Sequence, residues 1–219
     1  MFVLKDKVEI LRAVEEFVKN SLSGHDSGHT WTHIERVVRL SLHIHDCEKN
    51  GDRFVIELGA LTHDIGDHKF GTHDGPLEIK KLLGGLDVDK EIIDHVICIN
   101  SFISFSKRFD PKEQSIEFKI VQDADRLDVM GAIGIARAFN YGGFKGREIY
   151  DPRDGYINPA SFGAARMTSA TTIQHFYEKL LILKDLMNTD TGKKLAQERH
   201  DFMVNYLEQF YREMDPGDR

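Results

Sequence analysis

The sequence predicts a single all-α domain over residues 1–219, and three observations favour this fold class. Apolar residues recur at spacings of about three and four through most of the chain, which is the period of an amphipathic helix. No segment shows the alternating apolar and polar residues of a strand series. Glycine and proline stand mainly between the helical stretches, where they end helices and form turns.

The first three helices follow from their apolar patterns. One apolar stripe runs through roughly the first twenty residues, which predicts an amphipathic helix there. A second helix is expected from about 33 to 47, and the turn-forming Asn50-Gly51-Asp52 lies just beyond it. A third is expected from about 53 to 64. It is apolar on most of its faces, so it should occupy a central position.

Three more helices are expected before the glycine-rich part of the chain. Pro76 suits the first turn of a short helix that runs to about Leu83, where Gly84-Gly85 breaks it. The next helix is predicted over 89–102. A long helix is then predicted over 116–139, and this one carries a cluster of aspartates.

A long loop is predicted over 141–159, followed by C-terminal helices within 168–213. The loop shows no change of composition on either side, so a functional loop or lid is favoured over a domain linker. The last helices are expected at 168–187 and 191–213. Their apolar stripe indicates core or subunit packing, which leaves a homo-oligomer open.

Composition narrows the classes of partner. The formal net charge is −7, whereas a surface that binds duplex nucleic acid is usually basic. A small basic pocket for one nucleotide remains compatible with this charge. The N-terminus lacks the plan of a signal peptide, and no apolar run approaches the ~20 residues needed to span a bilayer. We therefore expect a cytoplasmic protein that acts on a small molecule and not on a membrane.

His63 and Asp64 are adjacent residues of ligand chemistry, and they need partners to complete a metal shell. His33 lies upstream, and Asp125 and Asp128 are the downstream alternatives that spacing allows. A site of imidazoles and carboxylates suits one divalent ion, and Mn²⁺, Mg²⁺, Ni²⁺, Co²⁺, Fe²⁺ and Zn²⁺ are not distinguishable on this basis.

Further residues near these ligands fit phosphate chemistry. Asp67 follows Asp64 by three positions, so a continuing helical turn would place it to orient or deprotonate a water. Lys69 and Arg126 are cations that could balance the charge of phosphate oxygens. His29 is expected to line the pocket.

The ordered residues His33, His63-Asp64 and Asp125 resemble the H…HD…D signature of the HD superfamily of metal-dependent phosphohydrolases. This resemblance implies a helical HD domain with its metal-binding core at about 25–130. It also implies that Asp125, which precedes arginine, is the fourth ligand, and that Asp67 is the acid that assists the water together with Asp64.

Two later blocks, Gly131-Ala132-Ile133-Gly134 and Glu198-Arg199-His200-Asp201, resemble the YpgQ/YedJ-type subgroup of that superfamily. The subgroup implies a (deoxy)nucleoside triphosphate pyrophosphohydrolase that releases monophosphate and pyrophosphate. A nucleoside 5′-monophosphate phosphatase is the alternative enzyme, and a non-catalytic nucleotide or metal sensor is the alternative class.

A second metal would change the class of chemistry. A di-iron oxygenase on the same scaffold needs two more histidines, for which His73 and His95 are candidates. The sequence leaves open whether these two, or His68, bind a second ion. No pair motif surrounds them, which favours the single-metal phosphohydrolase.

Overall fold

The computed structural model describes residues 6–22, 30–65, 74–103, 114–154 and 170–214. Over these residues the chain is helical, and its one β-type contact is an isolated parallel bridge between Glu148 and Thr171. The predicted all-α class is confirmed. The helices are α1 (Lys7–Leu22), α2 (Trp31–Glu48), α3 (Arg53–Thr62), α4 (Gly75–Gly84), α5 (Lys90–Phe102), α6 (Ile116–Asp128), α7 (Gly131–Phe144), α8 (Thr172–His175) and α9 (Asp190–Met214).

The chain packs as two compact units, Met1–Ala124 and Asp125–Arg219. In the first unit, α3 packs against α1, α2 and α5, as expected for the central helix. Eight of its ten residues are buried, which explains why its sequence is apolar on nearly every face. The fully buried side chains around it include Val14, Ile34, Val37, Ile44, Ile79, Val96, Ile99 and Ile120.

The start of α3 is held by a carboxylate cap. Asp52 accepts hydrogen bonds from the backbone N–H groups of Phe54 and Val55, which would otherwise lack partners at the first turn. The backbone N–H of Asp52 in turn donates to Oε1 of Glu117 at 2.9 Å. This network ties the first turn of α3 to α6 within the first unit.

The long helix predicted over 116–139 is wrong, because the structure divides it into α6 and α7. The chain turns at Val129 and Met130, and Gly131 opens α7 with a φ of +68°. A Cβ there would lie 3.1 Å from Cγ of Arg199, so the position needs glycine for its conformation and for close packing. Helical periodicity alone did not reveal this turn.

The second unit is built from α7, α9 and an irregular helical stretch between them. The helix predicted over 168–187 is replaced by α8, a π-helical segment at Phe176–Leu180 and a 3₁₀ segment at Leu181–Leu186. The loop predicted from residue 141 starts later, since α7 continues to Phe144, and a short 3₁₀ turn lies at Pro152–Asp154. Residues 155–159 of that predicted loop lie outside the described residues.

Aromatic side chains fill the space between the elements of the second unit. Phe176 stacks on Tyr206 of α9, and their ring centroids are 6.1 Å apart. The Phe139 ring of α7 lies 6.0 Å from Phe176 and 6.1 Å from Tyr206, measured between centroids. Such ring pairs add stability beyond the area that they bury.

Among the described helices, none is long and apolar enough to cross a membrane.

Candidate metal centre

His63 and Asp64 lie in the turn that directly follows α3. The helix predicted to reach Asp64 ends at Thr62, and the N–H of Ile65 donates to the Thr62 carbonyl at 2.9 Å. On a continuing helix, neighbouring side chains diverge by about 100°. The turn after the helix end instead lets both side chains approach His33, which α2 supplies from its first turn.

Three of the four predicted ligands come together in the first unit. Nε2 of His33 and Nε2 of His63 are 3.2 Å apart. Oδ2 of Asp64 lies 3.6 Å from Nε2 of His33, and Oδ1 of Asp64 lies 3.5 Å from Nε2 of His63. Metal–ligand bonds of about 2.0–2.2 Å place neighbouring ligand atoms roughly 3 to 3.5 Å apart, so these spacings fit one ion.

The orientation of the His63 ring also fits a ligand. Nδ1 of His63 lies 2.8 Å from the Ala60 carbonyl, which can only accept, so Nδ1 carries the proton. Ala60 is among the last four residues of α3, whose carbonyls lack helical N–H partners. With Nδ1 protonated, the lone pair of a neutral ring sits on Nε2, on the side of His33 and Asp64. This is how a ligand histidine is usually held.

Burial adds to the fit. His33 is 1% exposed and His63 is 6% exposed, while the Asp64 side chain is 13% exposed. Two buried imidazole nitrogens that face each other beside a carboxylate form a pocket whose chemistry suits a cation. In the part of the chain that the structure describes, these three residues are the one group with metal-ligand spacing.

Comparison with known proteins agrees with this geometry. The HD domain family model matches residues 30–130. YpgQ of Bacillus subtilis (strain 168) is 40% identical over 209 residues, which cover 93% of each chain. The chain belongs to the HD superfamily.

Two solved structures are similar to this chain over most of its length. A hydrolase of the superfamily from Bacillus thuringiensis is 41% identical with a TM-score of 0.76, covering 96% of this chain and 99% of that one. Bacillus subtilis YpgQ in complex with ADP is 37% identical with a TM-score of 0.76, covering 94% of this chain and 98% of that one. This protein is therefore an HD-type hydrolase, from a family of metal-dependent phosphohydrolases.

The two downstream aspartates of α6 have different surroundings. Asp128 is 1% exposed and forms an ion pair with Arg137 of α7, within the second unit. Asp125 is partly exposed on the same helix. The role of Asp125 as the fourth ligand of the HD site stays a prediction. The ion pair of Asp128 with Arg137 is consistent with this choice between the two aspartates.

Of the four other residues predicted to act on water or substrate, the structure describes Arg126 alone. Arg126 donates to the carbonyl of Leu186 in the second unit, and its role on phosphate stays a prediction. His29, Asp67 and Lys69 lie outside the described residues.

The histidines considered for a second metal do not form a described group. Nε2 of His95 lies 2.8 Å from Oγ of Ser115 and 3.7 Å from Oε2 of Glu117. Ser115 Oγ also accepts from the N–H of Phe118, so this contact belongs to the first turn of α6. His68 and His73 lie outside the described residues.

Electrostatics in the second unit favour a neutral histidine. Burial, reinforced by repulsion from Lys179 and Arg147, lowers the pKa of His175 to about 4. A histidine with this pKa is uncharged at neutral pH. His175 therefore adds no charge to the cationic groups beside it.

Sequence reasoning missed two residues beside the HD doublet. Thr62 is fully buried, and its hydroxyl donates to the carbonyl of Leu58 at 2.7 Å. Asn100 of α5 lies 2.7 Å from the same hydroxyl. The position of Thr62 directly before His63 was a usable signal, whereas nothing in the local sequence around Asn100 marked it.

Proposed function

We propose that this protein hydrolyses nucleotides with the help of one divalent metal ion. The reaction is most simply a pyrophosphohydrolysis that converts a (deoxy)nucleoside triphosphate to a monophosphate and pyrophosphate. The observation that carries the proposal is the convergence of two buried imidazole nitrogens, from His33 and His63, on the carboxylate of Asp64. Asp125 is proposed as the fourth ligand.

Nucleotide chemistry is supported by the relatives. YpgQ of Bacillus subtilis, 37% identical over nearly the whole chain, has been crystallised with ADP. ADP shares its base, ribose and first two phosphates with a nucleoside triphosphate. A nucleotide is therefore the substrate class that this similarity favours.

The divalent ion, when bound, supplies a Lewis acid for a phosphoryl oxygen and lowers the pKa of water. His33 and His63 would each present Nε2 to the ion, and their burial would keep bulk water away from that side of the site. Asp64 contributes negative charge that holds the cation. Asp67 is proposed to orient the attacking water and to accept its proton.

The cations of the proposed site act on the substrate. Lys69 and Arg126 are assigned to phosphate oxygens, where they offset the charge that develops during attack. His29 is assigned to the wall of the nucleotide pocket. Attack of water at the α-phosphorus would break the bond to the bridging oxygen and release pyrophosphate.

The experiment incubates the full chain with Mn²⁺ and a panel of nucleoside triphosphates and monophosphates, with pyrophosphate and phosphate measured separately. Release of pyrophosphate from triphosphates supports the proposal. Phosphate from monophosphates would assign a 5′-nucleotidase instead, and no product from either would favour a nucleotide or metal sensor.

Three variants sharpen this assay. Asp64→Ala should abolish both product release and Mn²⁺ binding. Asp67→Asn should abolish product release and keep Mn²⁺ binding, because a water-activating residue is needed for turnover only. Asp89→Asn is the matched control, since Asp89 is exposed and its side chain makes no capping hydrogen bond. A full loss of turnover in this control would refute the assignment.

A further inference from the structure

A chain of two hydrogen bonds joins α5 to the end of α3. Nδ2 of Asn100 lies 2.7 Å from Oγ1 of Thr62, and Oγ1 of Thr62 lies 2.7 Å from the carbonyl oxygen of Leu58. Thr62 is the last residue of α3 and is fully buried. The next residue is His63, so this contact lies one peptide bond from the metal centre.

The chemistry of the three groups determines the direction of both bonds. A hydroxyl has one proton, and the Leu58 carbonyl can only accept. The Thr62 hydroxyl therefore donates to Leu58 and must accept from Asn100. This requires the NH₂ group of Asn100, and not its oxygen, to face Thr62, so the network itself assigns the amide orientation.

The other end of the amide makes no comparable bond. Oδ1 of Asn100 is buried and has no hydrogen-bond partner among the described residues. Buried polar atoms usually have partners, and a buried acceptor without one carries a cost. Among the described residues, the Asn100 amide therefore makes its hydrogen bond through Nδ2 to Thr62 and not through Oδ1.

The hydrogen bonds at the end of α3 are of two kinds, some local to the helix and one from another helix. The carbonyls of the last turn lack helical N–H partners, and here His63 and Ile65 satisfy those of Ala60 and Thr62. Both of these bonds are local to the helix end. Asn100 instead comes from α5 and ties the end of α3 to a second helix.

We propose that Asn100 is a positioning residue for the metal centre and that it acts through Thr62. This inference rests on the proposed metal-dependent function. If the Thr62 side chain is released, the last turn of α3 loses its bond to α5, and Nε2 of His63 loses its placement 3.2 Å from Nε2 of His33. Mutating groups that orient metal ligands typically weakens metal binding by about 10- to 100-fold.

The experiment measures Mn²⁺ affinity of the metal-free full chain by following free Mn²⁺ with electron paramagnetic resonance. Thr62→Val keeps the shape of the side chain and removes the hydroxyl, and Asn100→Leu removes the donor. Each is expected to weaken Mn²⁺ binding by about 10-fold or more. Thr62→Ser keeps the hydroxyl and should restore affinity to near the wild-type value.

A double variant tests whether the two residues act as one unit. Asn100→Leu combined with Thr62→Val should bind Mn²⁺ no more weakly than the weaker single variant, because each change removes the same link. Independent losses that multiply in the double variant would overturn the inference.

Asp52→Ala is the matched control because it weakens the opposite end of the same helix. It removes the cap on Phe54 and Val55, so it should lower the melting temperature of the metal-free protein. Its Mn²⁺ affinity should stay at the wild-type value. An equal loss of affinity in this control would mean that general loosening of α3 explains the effect, and the positioning role would be wrong.

Different results would refute the metal-dependent function and the positioning role of Asn100. Wild-type protein that binds no Mn²⁺ would refute the proposed metal-dependent function, and the positioning role with it. Wild-type protein that binds Mn²⁺, with Thr62→Val and Asn100→Leu unchanged in affinity, would refute the positioning role alone.

Discussion

Replacing Gly131 with alanine is expected to destabilise the protein. Gly131 has a φ of +68°, and a Cβ there would lie 3.1 Å from Cγ and 3.2 Å from Cβ of Arg199. The left-handed conformation costs an L-residue about 1–2 kcal/mol. The stem of Arg199 must also give way, although its guanidinium donates to the Leu127 carbonyl. The total cost is therefore at least about 1–2 kcal/mol.

Gly143 is the matched control on the same helix. A Cβ at Gly143 would meet nothing within 4 Å, and its φ is not in the left-handed region. Alanine is the better helix former by about 0.5–1 kcal/mol, so Gly143→Ala should stabilise the protein. The two substitutions add the same methyl group to α7 and are expected to have opposite signs.

Thermal unfolding followed by far-UV circular dichroism measures both effects. For chains of this size, 1 kcal/mol corresponds to about 2–4 °C in Tm. Gly131→Ala should lower Tm by about 2–8 °C, and Gly143→Ala should raise it by about 1–4 °C. An unchanged Tm for Gly131→Ala would refute the claim that the α6–α7 turn requires glycine.

Three further predictions concern charge and capping. The pKa of His175 is lowered from 6.5 to about 4, mainly by burial, so between these pH values the folded state binds fewer protons than the unfolded chain and stability falls as pH falls. His175→Gln should reduce this pH dependence in urea unfolding, whereas exposed His43→Gln should leave it intact. Asp128→Asn should lower the free energy of unfolding by about 1–3 kcal/mol, because the paired arginine loses its buried carboxylate. Asp190→Asn changes an exposed pair and should have a far smaller effect in the same urea titration. Asp52→Ala should cost about 1 kcal/mol through the lost cap, and an unchanged urea midpoint would contradict that role.

Much of the first unit could be predicted from apolar spacing. The expected helices at 33–47, 76–83 and 89–102 correspond to α2, α4 and α5 within one or two residues at each end. Their boundaries carry local signals, such as Pro76 at the start of α4. Spacing worked there because each helix buries one face, and α4 also has a capping aspartate, Asp74, before it and Gly85 after it.

The errors arose where backbone geometry departs from the period of an α-helix without a clear local signal. The apolar pattern continues across residues 129–131, so its periodicity predicted one helix in place of α6 and α7. The contact between Gly131 and Arg199 joins residues far apart in sequence, so local patterns could not reveal it. The π and 3₁₀ segments at 176–186 also keep an apolar stripe, which hides their change of hydrogen-bond pattern.

The candidate site was predicted through residue chemistry more than through geometry. Adjacent His63 and Asp64 pointed to a ligand cluster, and the structure places His33 beside them. The sequence did not reveal that the doublet stands beyond the helix end, because that depends on hydrogen bonds of Ala60 and Thr62. It also did not reveal Asn100, which reaches the site from a different helix.

The burial of α3 on nearly every face gives this helix a fixed phase. Inserting one residue into an α-helix rotates everything beyond it by about 100° and advances it by about 1.5 Å. A surface helix can absorb such a change by turning its polar face, but α3 has no polar face to turn. The length of α3 therefore fixes the separation between the cap at Asp52 and the doublet at His63, and insertions within this helix should not be tolerated.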